Sequence, residues 1–230
     1  MSDYVAVVYD EARTPRTEYP FELSEYLFKR YNLQKGQKIL EIGCGRGEFL
    51  HAFQQLGMSC YGVDLSEHGF CHLKDIQVAK LDISRDVLPF ENNSFDIVYH
   101  KSLIEHLYSP DHLMKETHRV LKPEGRIIIL TPDWVSTMKV FYEDYTHSRP
   151  YTVTAVSDLL KVYEFNKIEA ELFHQLPILW HYPKLKIISL FLQMFLSTPA
   201  ARYLTKVTGL KFFRWSVELM VLGTGEKGVK

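Results

Sequence analysis

Cysteine is scarce in this chain of 230 residues: Cys44, Cys60 and Cys71 are the full complement, and no two are spaced C-x-x-C. That excludes a disulfide framework and a cysteine-built zinc site, and it suits a reducing compartment. An apolar leader is missing from the N-terminus, and no apolar run approaches the ~20 residues that span a bilayer. A cytoplasmic location is the expectation. Net charge is also missing, since 27 Lys and Arg against 28 Asp and Glu leave -1. No continuous basic groove points to nucleic acid. Asn92-Asn93-Ser94 is formally a glycosylation sequon, but without a secretion signal it reads as a turn. What remains is globular: 46% hydrophobic and 24% charged residues suffice to bury a core without staples.

The most informative stretch is Lys38-Ile39-Leu40-Glu41-Ile42-Gly43-Cys44-Gly45-Arg46-Gly47-Glu48-Phe49-Leu50. An apolar run, three alternate glycines and an apolar-periodic segment predict a buried strand, a tight turn and a helix. Glycine brings bare N–H groups against a bound molecule, so Gly43, Gly45 and Gly47 imply a ligand. The dinucleotide fingerprint G-x-G-x-x-G is not met, because Glu48 stands where its third glycine belongs. A carboxylate there meets phosphate badly. With Glu41 before the turn and Glu48 after it, the pocket suits a cationic cofactor. Cys60 to Leu65 reads as the next strand. It ends in Asp64, whose carboxylate reaches the same sheet edge with two acceptor oxygens suited to a ribose diol.

The segment E-I-G-C-G-R-G-E-F resembles the first motif of the class I S-adenosylmethionine-dependent methyltransferases. The resemblance continues through Val78-Ala79-Lys80-Leu81-Asp82-Ile83, through Leu88-Pro89-Phe90 to Ser94-Phe95-Asp96-Ile97-Val98, and through His118-Arg119-Val120-Leu121-Lys122-Pro123-Glu124-Gly125-Arg126. It covers residues 38–133 almost continuously. It implies an α/β fold, a Rossmann-like seven-stranded sheet with helices on both faces and a helical insertion before the last strand. It also implies S-adenosyl-L-methionine as cofactor, with S-adenosyl-L-homocysteine as product. Glu41, Gly43, Cys44, Gly45 and Gly47 would embrace the methionine part, Asp64 and Leu65 would hold the ribose, and Asp82 and Ile83 would meet the adenine. His100 and Lys101 would form the cofactor floor, mainly through backbone.

Glu105-His106 matches the "EH" of the ubiquinone-pathway O-methyltransferases. In those enzymes an acid three residues earlier helps bind a divalent metal; here that residue is Ser102, so no metal is expected. His106 reads as a substrate-side base or as a structural histidine. Beyond residue 133 the aromatic and polar residues Trp134, Tyr142, Tyr145 and Arg149 suit a wall for a polar acceptor. Asp144-Tyr145-Thr146-His147-Ser148-Arg149-Pro150-Tyr151-Thr152 resembles a methyltransferase subgroup associated with glycans and natural products, and His147 is the leading base candidate. Alternatively, Asp144, His147 and Arg149 hold the loop. O-methylation of a hydroxyl on a small polar metabolite is the expected reaction. N-methylation, a lipid or quinone acceptor, and a non-catalytic cofactor-binding partner protein are alternatives.

An arm and helix are expected over 1–36, the cofactor-binding core over 37–173, an insertion over 174–214, and the last strand with a tail over 215–230. From His174 onward the chain carries +6, and before it -7. Leu185–Leu196 holds nine apolar residues in twelve, and a helix of that kind needs burial on most sides. It is expected to pack as a satellite core, cover the acceptor pocket, pair two copies, or lie on an anionic membrane surface through residues 183–211.

Overall fold

Strands that are apolar on consecutive residues must be covered on both faces, and the fold follows from five such runs lying in parallel. The structure, a computed structural model, describes residues 15–67, 73 and 75–229. The elements are α1 (Tyr19–Arg30), β1 (Lys38–Ile42), α2 (Glu48–Gln55), β2 (Ser59–Asp64), β3 (Gln77–Lys80) and β4 (Phe95–Lys101). There follow α3 (Asp111–Val120), β5 (Leu121–Pro132), the single turn α4 (Trp134–Thr137), α5 (Val153–Val162) and β6 (Phe165–Phe173). Four helices precede the last strand: α6 (Pro177–His181), α7 (Lys186–Phe195), α8 (Thr198–Thr208) and α9 (Lys211–Val217), then β7 (Met220–Lys227).

The seven strands form one sheet in the order β3-β2-β1-β4-β5-β7-β6. β1 to β5 are parallel, and β7 runs antiparallel to both β5 and β6. Alternation along β1 and β5 divides the core. Leu40, Ile42, Ile127 and Ile129 pack with Leu113, Val156 and Leu160 on one face. Ile39, Ile128 and Leu130 pack with Leu23, Leu27, Leu50 and Phe53 on the other. Each face is therefore sealed by helices, and the ligand must enter at an edge.

Several boundaries differ from expectation. The helix expected within 1–36 occupies Tyr19–Arg30, and the chain turns at Asn32 with a positive φ of 50°. The third strand stops at Lys80, so Asp82 and Ile83 lie in the following turn. Within the segment 215–230 expected to hold the last strand, the strand begins only at Met220, because residues 211–217 complete a helix and the ladder starts at Met220 opposite Pro132. The insertion accordingly runs three residues past 214. Gly223 sits within β7 because a Cβ there would meet Val156 Cγ1 at 2.3 Å. Of the arm and helix expected over 1–36, residues 1–14 lie outside the described residues. Tyr19 packs its ring 4.7 Å from that of Trp215.

Candidate active site

β1 lies between β2 and β4, so the strand order reverses beside it and opens a crevice at the carboxyl edge. The chain leaving β1 enters that crevice as the glycine turn. Gly43, Gly45 and Gly47 have φ of 77°, 51° and 71°, a region that side chains disfavour. Their surroundings differ. A Cβ on Gly47 would lie 2.4 Å from Leu73, whereas one on Gly45 would meet nothing within 4 Å among the described residues. Gly47 is thus required for packing, and Gly45 leaves open space above the backbone.

Asp64 sits at the tip of β2 and binds the turn directly. The Gly45 N–H donates to its Oδ2 at 2.8 Å, and the Ser66 N–H donates to its Oδ1 at 2.8 Å. Glu41 on β1 is 2% exposed, and its Oε2 has no hydrogen-bond partner among the described residues. Burial, reinforced by the negative charge of Asp64, raises the Glu41 carboxyl well above the usual range. A cation in this crevice would relieve both strains. Cys44 is buried within the turn, and burial pushes its thiol up.

The remaining crevice candidates are spread more widely. Leu65 is 64% exposed beside Asp64. Asp82 lies past β3 at the same edge and accepts from the Ser84 hydroxyl at 2.6 Å, which holds its carboxyl low. Ile83 is part of the core. His100 is fully buried in β4; burial holds it down to about 3, so it is neutral and neither ring nitrogen finds a partner. Lys101 ends β4 with its ammonium 5.8 Å over the Phe49 ring, and burial pushes it down to about 8.

A cavity of about 550 Å³ opens beyond Lys101, between the ends of β4 and β5 and the helical insertion. Glu105, His106, Tyr145 and His147 line one side, and Arg202, Arg214 and Glu218 line the other. Of the expected acceptor wall, Tyr145 is in the lining, but Trp134, Tyr142 and Arg149 are not. Trp134 packs edge-on against Phe141 and Tyr142, and the Arg149 guanidinium donates to the Tyr108 carbonyl at 3.2 Å.

The two histidines meet across this wall with ring centroids 4.7 Å apart. His106 Nδ1 lies 2.8 Å from the Thr146 hydroxyl, and that hydroxyl donates to Asp144 Oδ1 at 2.6 Å. Burial, with His147 adjacent, holds His106 down to about 4. His147 Nδ1 is 2.7 Å from the Phe141 carbonyl. A carbonyl only accepts, so Nδ1 carries a proton; in the neutral ring the lone pair is then at Nε2, which lies 4.0 Å from Asp144 Oδ2.

Sequence reasoning placed Glu105 in a motif and gave it no role. In the structure it is fully buried, its Oε2 accepts from Thr131 at 2.9 Å, and its Oε1 has no hydrogen-bond partner among the described residues. Burial pushes its carboxyl up to about 7. Glu105, His106 and His147 also bring one donor atom each within 4.8 Å of one another, a set able to hold a metal ion. Also missed were Arg202, Arg214 and Glu218. Arg214 Nε donates to Glu218 Oε2 at 2.8 Å, while Arg202 pairs with both Glu218 and Glu143. No spacing rule links these residues; only the absence of acids between Glu171 and Glu218 hints that buried Glu218 attracts the insertion's arginines.

Fold and crevice together define a Rossmann-like methyltransferase domain. Residues 40–129 match the family model described as a methyltransferase domain. The chain is similar to the ubiquinone biosynthesis O-methyltransferase of Pelagibacter ubique, 30% identical over 108 residues, or 42% of each chain. It is also similar to the ubiquinone/menaquinone biosynthesis C-methyltransferase of Haemophilus ducreyi, 28% identical over 128 residues, covering 45% of this chain and 46% of that one. Among solved structures, Haemonchus contortus phosphoethanolamine N-methyltransferase 2, in complex with phosphomonomethylethanolamine and S-adenosylhomocysteine, superimposes with a TM-score of 0.68 at 21% identity. That match covers 97% of this chain and 58% of the other. The chain spans less than half the length of these two curated relatives. Residues 40–129 thus carry the methyltransferase-domain match, and the whole described chain has the fold of the class I methyltransferases.

Proposed function

We propose that this chain transfers a methyl group from S-adenosylmethionine to a hydroxyl of a small polar acceptor, such as a sugar or glycan intermediate, held in the cavity beyond Lys101. The crevice residues fit the cofactor on three counts: the open space over Gly45, the unpartnered buried oxygen of Glu41, and the two-oxygen acceptor Asp64. S-adenosylmethionine supplies, when bound, a methyl group on a cationic sulfur. Glu41 and Asp64 contribute the negative charge that favours such a cation, and Asp64 offers its carboxylate to a ribose. His147 accepts the hydroxyl proton at Nε2 while its Nδ1–H donates to the Phe141 carbonyl, which holds the ring in the basic tautomer.

The observation that carries this reading is the His147–Phe141 hydrogen bond, because it leaves a lone pair at the cavity wall. The O-, C- and N-methyltransferases among the similar proteins leave the acceptor atom to experiment. Glu105 and Asp144 beside the cavity favour an amine as the second reading. The test is S-adenosylhomocysteine release with S-adenosylmethionine and a panel of sugars, phenols and amino alcohols. Turnover of hydroxyl acceptors, lost in His147→Ala, is expected. Turnover of amines alone would replace the O-methylation reading, and failure to bind S-adenosylmethionine would overturn both.

A further inference from the structure

A surface helix normally turns its apolar stripe inward and its polar stripe to water; α7 does the reverse. Ile187, Ile188, Leu190, Phe191, Met194 and Phe195 are 70%, 47%, 56%, 62%, 76% and 72% exposed. At 100° per residue these six fall within an arc of about 160°. Ser189 and Gln193 occupy the opposite side and face the protein. The Ser189 hydroxyl donates to the Ser216 carbonyl at 2.6 Å, and the Gln193 amide donates to the same carbonyl at 2.8 Å. Ser189 is 1% exposed and is the helix's buried residue. The helix is therefore anchored by its polar side, and the outward hydrocarbon takes no part in that anchorage.

The charge around this face has one sign. From His174 to Val217 there is no Asp or Glu, while Lys184, Lys186, Arg202, Lys206, Lys211 and Arg214 supply six cations. Arg202 and Arg214 are paired to Glu218. Lys184, Lys186, Lys206 and Lys211 are exposed. Tyr203 and Val207 on α8 and Leu210 before α9 add exposed apolar side chains of 67%, 65% and 58%.

We infer that the insertion docks on an anionic lipid surface, with the outward face of α7 immersed at the headgroup boundary and the four lysines on the headgroups. Charge complementarity selects this occupant. A second copy meeting the same patch across a two-fold axis would bring the same lysines together without an acid to answer them. Spanning is not implied: α7 has ten residues, about 15 Å, or half the ~30 Å hydrocarbon core. The following helix is bent away by 112°. An apolar arc beside a lysine cluster is the composition of an interfacial helix. This inference is independent of which acceptor is methylated.

The test is sedimentation of the 230-residue chain with vesicles of phosphatidylcholine, alone or mixed with phosphatidylglycerol, at low and high salt. Binding is expected on the mixed vesicles at low salt and should be released by high salt as the charges are screened. Lys184→Gln and Lys206→Gln should each lower the partition coefficient about fivefold. Ile187→Ser/Phe191→Ser/Met194→Ser should lower it at least tenfold (about 0.8 kcal/mol per buried CH₂), with circular dichroism and Tm as the check that the chain still folds. No binding by the parent chain would overturn the inference. So would parental binding by the folded triple variant. A parent dimer that this variant converts to monomer would also overturn it, assigning the face to a second copy.

Discussion

The two halves of the site are built by different means. The crevice half is mainly backbone: one turn places Gly43, Gly45 and Gly47 at positive φ, and Asp64 completes it by bonding the Gly45 N–H. The cavity half is side chain: Glu105, His147, Arg202 and Glu218 arrive from four separated segments and meet only because the insertion folds over the end of β5. A backbone-built site tolerates little variation at a few positions and serves any acceptor. A side-chain-built site is free to change, and so it is where the choice of acceptor resides.

That contrast is most easily broken at the turn. Gly47→Ala combines a φ of 71° with a Cβ 2.4 Å from Leu73, so neither the backbone nor the packing accommodates it. Loss of S-adenosylhomocysteine binding by at least ~100-fold is expected by calorimetry, a cost of about 3 kcal/mol. Gly45→Ala has the same backbone problem but open space, and should cost about tenfold. Equal effects of the two would mean that packing at Leu73 is irrelevant to the crevice.

The next effect falls on the other half. His147→Ala should lower kcat by about 10²- to 10⁴-fold and leave S-adenosylhomocysteine affinity unchanged, because the residue lies in the cavity wall. His106→Ala should do less, since burial already holds that imidazole down to about 4 and makes it a weak base. Unchanged turnover in both variants would remove the histidine base.

Glu105 links pH to stability. Its folded carboxyl sits near 7, above the unfolded value of about 4.3. The native state therefore binds more protons than the unfolded state between these values. Stability is lost as pH rises through that window, and the full cost is present above 7. Glu105→Gln should raise Tm by about 4 °C at pH 8 and remove most of the loss seen between pH 5 and pH 8. A parental Tm that stays flat over this range would show that Glu105 ionises without penalty.

Legibility in the sequence follows the same division. The strands and the glycine turn could be read because periodicity and glycine spacing are local signals, and Asp64 could be placed because a strand-helix-strand unit puts two carboxyl ends on one edge. The last strand was expected within 215–230, but its start at Met220 was not legible, because Lys211–Val217 closes the insertion as a helix that no local signal marks. Trp134, Tyr142 and Arg149 were expected in the acceptor wall on composition alone, but direction decides. Trp134 turns to Phe141 and Arg149 to the Tyr108 carbonyl. Glu218 carries no motif, and its importance comes from burial beside Arg202 and Arg214.

The smallest expected effect tests the cavity half most sharply. Glu105, His106 and His147 are close enough to share a divalent ion, whereas the base role proposed for His147 calls for none. His106 Nδ1 is engaged by Thr146, and His147 Nδ1 donates to the Phe141 carbonyl, so in the neutral His147 ring the lone pair is at Nε2, 4.0 Å from Asp144 Oδ2. If His147 removes the proton, dialysis against a chelator should change kcat by less than about twofold, and added magnesium or manganese should not raise it. A loss restored by one of these ions would mean that the two imidazoles and Glu105 act as ligands. In that case His147→Ala would lose activity through the metal, and the ion would have to be restored before the pH profile of either histidine could be read.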